Sequence, residues 1–335
     1  MDPKRLVAKF ANSAGMLGAY SRVRRVVRKS DVSILMYHRV CPNPDARYTD
    51  SVSPKMFERH LKYLSREYKI ISLVDLVDDL QSNESDQDRT VAITFDDGYR
   101  DNYLHAYPIL RRFRAPATFF LATGYIGEGS PFWWELVSYV IERTAAKSLD
   151  LATLGSYGLQ SKEDRVSASQ AVINRLKGVL DHERNAEIKK LCALCGTEVS
   201  ARLGEELVLS WKDVEEMDRG GMTFGAHSVS HGILTRMRLE QARNEIVESK
   251  KQLEDRLGKT ATCFAYPNGE HSAELVQLVR DLGFKCAVSV FPCTLVSRKD
   301  NIYSLPRIPV CEDFDKFKVM LCGLWGDYIR FTVTR

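Results

Sequence analysis

The segment that decides the fold is Thr90–Tyr99, which reads TVAITFDDGY. Six apolar or β-branched residues run directly into two carboxylates and a glycine, a pattern that indicates a buried strand followed by a turn. Ionised carboxylates are rarely buried without a partner, so Asp96 and Asp97 indicate either a bound cation or an exposed turn. Because neighbouring side chains diverge from a strand, one carboxylate can bind a metal while the other faces the reacting atoms.

Similar strands recur along the chain and alternate with amphipathic helical patterns. The strands are predicted at Ser33–His38, Lys69–Ser72, Thr90–Phe95, Ala117–Ala122, Met222–Gly225, Ala261–Tyr266, Lys285–Ser289 and Ser304–Ile308. The helices between them include Pro54–Tyr68, Asn102–Phe113, Leu239–Leu257 and Ala273–Leu282. Strands that are apolar on both faces and separated by helices indicate parallel βαβ units. The predicted fold class is therefore α/β, a complete or irregular (β/α) barrel, with a doubly wound open sheet as the alternative.

The alternation breaks between Gly127 and Gly204, where we find helical patterns and polar connections but no convincing strand. The helical patterns cover Trp133–Arg143, Ala168–Leu180 and Glu183–Leu194. We interpret residues 127–208, approximately, as a mainly helical insertion between the fourth and fifth strands. Such an insertion borders the active-site face of a barrel, so Trp133 and Trp134 either line a sugar pocket or pack the insertion onto the barrel.

Composition and charge divide the chain into an arm and a body. The 335 residues are 44% hydrophobic and 27% charged, which excludes wholesale disorder, a collagen-like repeat and a small disulfide scaffold. Residues 1–30 carry eight basic groups and one acid, whereas residues 31–335 sum to −3, so the body is not a nucleic-acid surface. We predict a basic arm at 1–30, a barrel domain at 31–322 and a C-terminal tail at 323–335.

The arm also bears on location. A membrane-surface helix is one interpretation and a solvated leader the other, because basic residues accompany an apolar face formed by Leu6, Phe10, Ala14, Leu17 and Tyr20. A secretory signal fits poorly, since Lys9 and Asn12 interrupt the apolar region and the eight cysteines are scattered. No apolar run is long enough to span a bilayer. We expect a cytoplasmic enzyme, with peripheral contact at the inner membrane face as a further hypothesis.

Two more motifs follow predicted strands. If HSVSH at His227–His231 is helical, its two imidazoles lie on one face, about 5–6 Å apart at Cβ, and can share one metal ion. With Asp97 they supply one oxygen and two nitrogens, which leaves positions open for water and substrate. In FAYPNG at Phe264–Gly269, backbone N–H groups of the turn either face a developing oxyanion or belong to an ordinary turn.

In this order, MYH at Met36–His38, TFDDGY at Thr94–Tyr99, HSVSH and FAYPNG resemble the polysaccharide deacetylase family, carbohydrate esterase family 4. The resemblance covers roughly residues 31–310 apart from the insertion. A Tyr-His strand placed first is similar to the permuted branch that includes poly-N-acetylglucosamine deacetylases. The resemblance implies an irregular (β/α)7 barrel and hydrolytic removal of acetyl groups from amino sugars. It also implies a divalent metal, foremost zinc, with nickel or cobalt as alternatives.

The resemblance also implies roles for single residues. Asp96 would be the general base, His38 the general acid, and the metal ligands would be Asp97, His227 and His231. The residues implied for the oxyanion and the substrate are Asn268, Tyr266, Tyr99 and Trp134.

One position departs from the family pattern. Many members carry an arginine in the third motif that orients the base, whereas Ala265 stands there in this chain. Our hypothesis is that Arg307, a lone cation at another apolar strand end, takes that role.

The residues alone leave other functions open. Two histidines and one carboxylate also describe the metal site of non-haem iron(II) oxygenases. A catalytically silent carbohydrate-binding barrel is a further alternative. For a deacetylase, the expected substrate is an N-acetylated amino sugar of a polysaccharide or of a lipid- or nucleotide-linked glycan precursor. An exported polymer deacetylase is the alternative to the cytoplasmic enzyme.

Overall fold

The computed structural model describes residues 32–44, 51–82, 89–179, 181–200, 202–290 and 295–323, except for the side chains of 181 and 182. The predicted arm at 1–30 lies outside these ranges, as does the predicted tail apart from Gly323, and the domain boundaries stay predictions. Within the described part of the chain, no helix is both long and apolar enough to cross a membrane.

Twelve strands and eleven α-helices are described. The strands are β1 (Val32–Tyr37), β2 (Arg39–Val40), β3 (Ser51–Val52), β4 (Lys69–Ile71), β5 (Thr90–Phe95), β6 (Thr118–Leu121), β7 (Ser148–Leu151), β8 (Gly155–Gly158), β9 (Thr223–Ala226), β10 (Cys263–Ala265), β11 (Cys286–Val288) and β12 (Ile308–Pro309). The helices are α1 (Pro54–Glu67), α2 (Leu73–Gln81), α3 (Tyr107–Phe113), α4 (Trp133–Arg143), α5 (Lys162–Leu176), α6 (Asp181–Cys195), α7 (Leu203–Leu207), α8 (Trp211–Arg219), α9 (Leu239–Leu257), α10 (Ala273–Asp281) and α11 (Phe314–Leu321). A π-helical turn at Asn102–Ala106 leads into α3, and 3-10 turns lie at Leu234–Arg236 and Pro267–Gly269.

Seven parallel strands form the wall of a barrel, in the order β12-β1-β5-β6-β9-β10-β11. Val288 at the end of β11 also pairs in parallel with Leu305, just before β12, so the two ends of the sheet meet. β4 is the irregular strand, because it pairs with Thr90–Ala92 of β5 outside this ring. The irregular (β/α)7-type barrel is therefore confirmed, and the open-sheet alternative is wrong.

Alternate residues along the strands enter two separate apolar clusters, as the period of a strand requires. Ile34, Ala92 and Phe120 belong to the smaller cluster, which also includes residues of helix α2. Their chain neighbours Leu35 and Ile93 belong to the larger cluster, which contains the apolar faces of the surrounding helices. Burial on both sides explains why the ring strands read as continuous apolar runs.

The insertion contains a β-hairpin where the sequence analysis found no strand. β7 and β8 pair antiparallel, with Leu149 opposite Tyr157, so the expectation of helices alone between Gly127 and Gly204 is wrong. Four-residue strands give too few repeats of the apolar-polar alternation to be recognised. The three predicted helices are present as α4, α5 and α6, although α5 begins at Lys162 rather than Ala168.

Arg165 on α5 fastens the insertion helices to each other. Its guanidinium donates to the carbonyl oxygens of Thr144 (2.8 Å), Ala146 (3.2 Å) and Ile141 (3.1 Å), at the end of α4. A cation at a helix C-terminus satisfies carbonyl groups that have no partner within the helix. The contact fixes the position of α5, which borders the cleft described below.

His60 on α1 is a buried imidazole away from that cleft. Its Nδ1 lies 3.1 Å from the hydroxyl of Tyr37, and its ring stacks on Phe317 with centroids 3.7 Å apart. Burial, with a smaller contribution from Arg59, lowers the pKa of His60 from 6.5 to about 3. The folded protein therefore keeps this imidazole neutral at pH values where an unfolded chain would protonate it.

We predict that this histidine makes the protein less stable as the pH falls. Between pH 6.5 and 5 the unfolded chain gains a proton at residue 60 that the folded chain does not, which lowers the free energy of unfolding by roughly 2 kcal/mol. Denaturant titrations of wild type and His60→Gln at both pH values measure this contribution. The wild type should lose roughly 2 kcal/mol more than the variant on acidification, and equal losses would contradict a buried neutral imidazole.

Candidate active site

The carboxyl ends of the barrel strands bring the predicted residues together at one mouth. His38 follows β1, Asp96 and Asp97 follow β5, His227 follows β9 and Tyr266 follows β10. Parallel strands of a barrel end at the same face, which is where barrel enzymes carry their active sites. A cleft of about 530 Å³ opens there, and every predicted site residue except Arg307 lines it.

Three side chains converge as the sequence predicts. Oδ1 of Asp97 lies 3.2 Å from Nε2 of His231 and 3.5 Å from Nε2 of His227. The ligand atoms of all three lie within 4.8 Å of one another. Nδ1 of His227 is 2.7 Å from the carbonyl oxygen of Ala265, and it must donate because that oxygen only accepts. In the neutral imidazole, the lone pair on Nε2 therefore faces the carboxylate.

This donor set fits a divalent metal ion. Oδ1 of Asp97 is buried without a hydrogen-bond partner among the described residues, and the electron-rich Nε2 of His227 points at it. Two ligands at zinc distances and a tetrahedral angle are about 3.3 Å apart, close to the separations of 3.2 and 3.5 Å found here. Two imidazoles and one carboxylate suit zinc, and nickel or cobalt as well.

The protonation states also suit metal ligands. Burial alone would raise the pKa of Asp97, but the adjacent imidazoles of His231 and His227, with His38, together hold that pKa well below its ordinary range. Burial lowers the pKa of His231 and outweighs the opposing effect of Asp97. At neutral pH the site therefore contains an ionised carboxylate and a neutral imidazole, the forms that bind metals.

The His227–His231 segment is an irregular loop and not a helix, so the two imidazoles meet by another route than the helical spacing considered above. Its rings approach to 4.8 Å because Ser228 and His231 adopt left-handed backbone angles, with φ of 60° and 55°. Asp97 is also left-handed, with φ of 73°. Non-glycine residues in this region carry strain that clusters at functional sites. After Asp97 the turn needs Gly98, because a Cβ there would lie 2.9 Å from Cδ1 of Ile126.

Glu245 on α9 holds this histidine loop and was missed by the sequence analysis. Its Oε2 accepts hydrogen bonds from the backbone N–H groups of Val229 (2.9 Å) and Ser230 (2.8 Å). Its Oε1 accepts from the hydroxyl of Ser230 at 3.1 Å. A glutamate within a charged amphipathic helix carries no sequence signal that would distinguish it from its solvated neighbours.

Asp96 is held by Arg307, the residue predicted to orient it. The guanidinium donates to both carboxylate oxygens at 2.7 and 2.6 Å, and to the hydroxyl of Thr94 and the carbonyl oxygen of Ser289. Arg307 is fully buried. Burial raises the pKa of Asp96, but the charge and hydrogen bonds of Arg307, together with His227 and His38, bring that pKa below its ordinary value. Nε2 of His38 lies 4.0 Å from Oδ2 of Asp96, on the cleft side.

Trp134 forms one wall of the cleft. Its ring centroid is 4.8 Å from that of His231, and its Nε1 donates to the hydroxyl of Tyr99 at 2.7 Å. That hydroxyl donates in turn to the buried Glu135 at 3.0 Å. The hydroxyl of Tyr266 donates to the carbonyl oxygen of Tyr303 at 2.9 Å. The hydroxyls of Tyr99 and Tyr266 therefore bond within the protein, and both residues line the cleft, where their role toward the substrate stays a prediction.

A buried ion pair next to the predicted acid was also missed. Arg39, which directly follows His38, donates to Asp101 at 2.7 Å and to Glu135 at 3.3 Å. Asp101 also accepts from the backbone N–H of Val40 at 3.1 Å. These bonds tie the segment after His38 to the insertion helix α4.

Asn268 lines the cleft from the turn after β10. Its backbone is left-handed, with φ of 58°, and its side-chain amide donates to Glu270 at 2.8 Å. The oxyanion role of its N–H stays a prediction.

The insertion supplies the opposite side of the cleft. Gln170 and Ile173 of α5, Lys177 just after it, and Arg184 of α6 line this side. The sequence predicts the insertion at this face but not these four residues, because a helical pattern does not reveal which turns reach the barrel mouth.

Known proteins share the sequence pattern and the architecture. A family model described as polysaccharide deacetylase matches residues 83–287. The chain is similar to the poly-β-1,6-N-acetyl-D-glucosamine N-deacetylase of Staphylococcus aureus, with 32% identity over 128 residues, which cover 38% of this chain and 41% of that protein.

Two solved structures share the fold. The Streptococcus pyogenes deacetylase PplD, solved in complex with acetate, has a TM-score of 0.58 and 22% identity, covering 86% of this chain and 97% of that one. IcaB from Ammonifex degensii has a TM-score of 0.58 and 19% identity, covering 89% of this chain and 98% of that one. With more than half of its residues matched by the family model, this chain belongs to the polysaccharide deacetylase family, carbohydrate esterase family 4.

Proposed function

We propose that this chain is a metal-dependent deacetylase that hydrolyses the acetamido group of an N-acetylated amino sugar in a polysaccharide or glycan precursor. The observation that carries the proposal is a carboxylate held by Arg307, Asp96, beside the converging ligands Asp97, His227 and His231. The name of the Staphylococcus aureus relative, a deacetylase of a poly-N-acetylglucosamine, supports this substrate class.

Asp97, His227 and His231 are the residues that would hold the metal. A divalent ion bound there would polarise the amide carbonyl and would lower the pKa of its water towards neutrality. Asp96 is ionised and fixed by Arg307, so it is ready to accept the proton of the attacking water. His38, 4.0 Å from Asp96 on the exposed side, delivers a proton to the departing amine. Water is consumed, the C–N bond breaks, and acetate and a free amine are released.

The family assignment favours the deacetylase over the two alternatives, an iron(II) oxygenase and a catalytically silent carbohydrate-binding barrel. An iron(II) oxygenase uses the same three ligands but has no use for a second carboxylate that a buried arginine holds as a base. We also propose a cytoplasmic location and a membrane contact through residues 1–30, both on sequence grounds. Those residues lie outside the described part of the chain.

The function is tested directly by acetate release from N-acetylglucosamine oligomers. We expect release to stop after chelation and dialysis, and to return when zinc, nickel or cobalt is added back. Release that persists in metal-free protein, verified by elemental analysis, would contradict the metal-dependent reaction.

The division of labour between the neighbouring carboxylates gives a second prediction. Asp96→Asn should retain zinc and lose about 10²–10⁴-fold in acetate release, because it removes a proton acceptor and leaves the ligand set intact. Asp97→Asn should lose zinc affinity as well as activity. Calorimetric zinc titration of both variants separates the roles, and equal loss of zinc in the two would contradict them.

Arg307 should set the acidic limit of activity. Without its charge, burial raises the pKa of Asp96, so in Arg307→Met the low-pH limb of the kcat/KM profile should move to higher pH. Arg307→Lys keeps the charge but not the paired hydrogen bonds, and should shift the limb less. The lysine variant also serves if the methionine variant does not fold. An unchanged limb in a folded variant would show that Arg307 does not tune the base.

A further inference from the structure

The insertion brings positive charge to the active-site cleft. Lys177 lies just after α5, half-buried, and none of the ion pairs found within the described ranges involves it. The acidic residues that line this cleft are Asp96 and Asp97, both at the barrel mouth. Arg307 compensates Asp96, and Asp97 belongs to the ligand set. Lys177 therefore lines a cleft whose two acidic residues are both accounted for.

Arg184 on α6 adds a second cation at the same side. It is only 3% exposed, and its guanidinium carbon lies 4.9 Å from the ring centroid of Trp133. The indole face fixes the guanidinium at the cleft surface, as cation–π contacts do. A cation that is held in place in this way loses little conformational freedom when it binds an anion.

Arg184 also marks the junction with a second cleft of about 890 Å³, because it lines both clefts together with Ile233. The acids of the second cleft are Glu245 and Glu248, and the carboxylate of Glu245 already accepts three hydrogen bonds from the histidine loop. The two clefts thus adjoin at Arg184 and Ile233, and Lys177 lines the cleft that holds the metal ligands.

We propose that Lys177 and Arg184 bind a phosphoryl group of the substrate. This inference rests on the proposed deacetylation and specifies its substrate: an acetamido sugar joined through a phosphate or diphosphate ester, rather than a neutral glycan. A lysine ammonium and an arginine guanidinium are the side chains best suited to phosphoryl oxygens. The sugar lies at the metal ligands, the phosphoryl group at the junction, and the group beyond the ester in the second cleft. Either a nucleotide or a lipid carrier supplies this chemistry.

The test compares kcat/KM for three substrates. They are uridine diphosphate N-acetylglucosamine, a short-chain polyprenyl diphosphate N-acetylglucosamine, and a neutral N-acetylglucosamine tetramer. Wild type should prefer one diphosphate substrate, and which one identifies the carrier. In Lys177→Glu the ratio of kcat/KM for that substrate to the tetramer should fall at least roughly tenfold, mainly through KM. The matched control is Lys162→Glu, an exposed lysine at the start of the same helix that lines neither cleft, and its ratio should stay at the wild-type value.

Two further results separate this inference from the proposed function. Acetate release with no diphosphate preference, or a ratio that Lys177→Glu leaves unchanged, overturns the phosphoryl site and leaves the deacetylase standing. If no substrate releases acetate, calorimetry on the chelated protein decides. The phosphoryl site then requires N-acetylglucosamine 1-phosphate to bind more tightly than N-acetylglucosamine, with the difference lost in Lys177→Glu. If Lys177→Glu does not fold, Lys177→Gln is used in its place.

Discussion

Two adjacent buried carboxylates, Asp96 and Asp97, impose the constraint on which the site is built. Each is too deeply buried to remain ionised without a neighbouring group that stabilises its negative charge, and the neighbouring groups of the two differ. Asp96 takes an internal cation, Arg307, which completes its hydrogen bonding and leaves it a base. Asp97 lies beside the imidazoles of His227 and His231, and these three side chains are the set proposed to hold a metal ion. The same chemical group thus has two different surroundings one residue apart.

The strand positions and the convergence of the site were predictable because they follow from short-range patterns. Buried parallel strands read as apolar runs, and their ends share one face, so polar residues after Phe95 and Ala226 had to meet. The conformation of the histidine loop was not predictable, because it depends on Glu245, which approaches from a neighbouring helix. The hairpin of β7 and β8 was not predicted for another reason. Strands of four residues show too few repeats of the apolar-polar alternation to be recognised.

The insertion explains how a common barrel acquires an individual cleft. Its first helix contributes Trp134 and Glu135, which bond to the loop after β5 and to the segment after His38. Its later helices contribute the cationic side facing the ligands. The barrel therefore supplies the reacting groups, and the insertion supplies both the bracing around them and the surface that a substrate meets.

Arg307 also spans the place where the ring of strands closes. Its guanidinium joins Asp96, after β5, to the carbonyl oxygen of Ser289, after β11, while its own backbone leads into β12. β12 is two residues long, which makes it the shortest of the seven ring strands. The orientation of the Asp96 carboxylate therefore depends on the contact between β11 and β12. Separation of β11 from β12 would break the hydrogen bond from Arg307 to Ser289 and weaken the hold of Arg307 on Asp96, so a local opening of the barrel would reach the cleft.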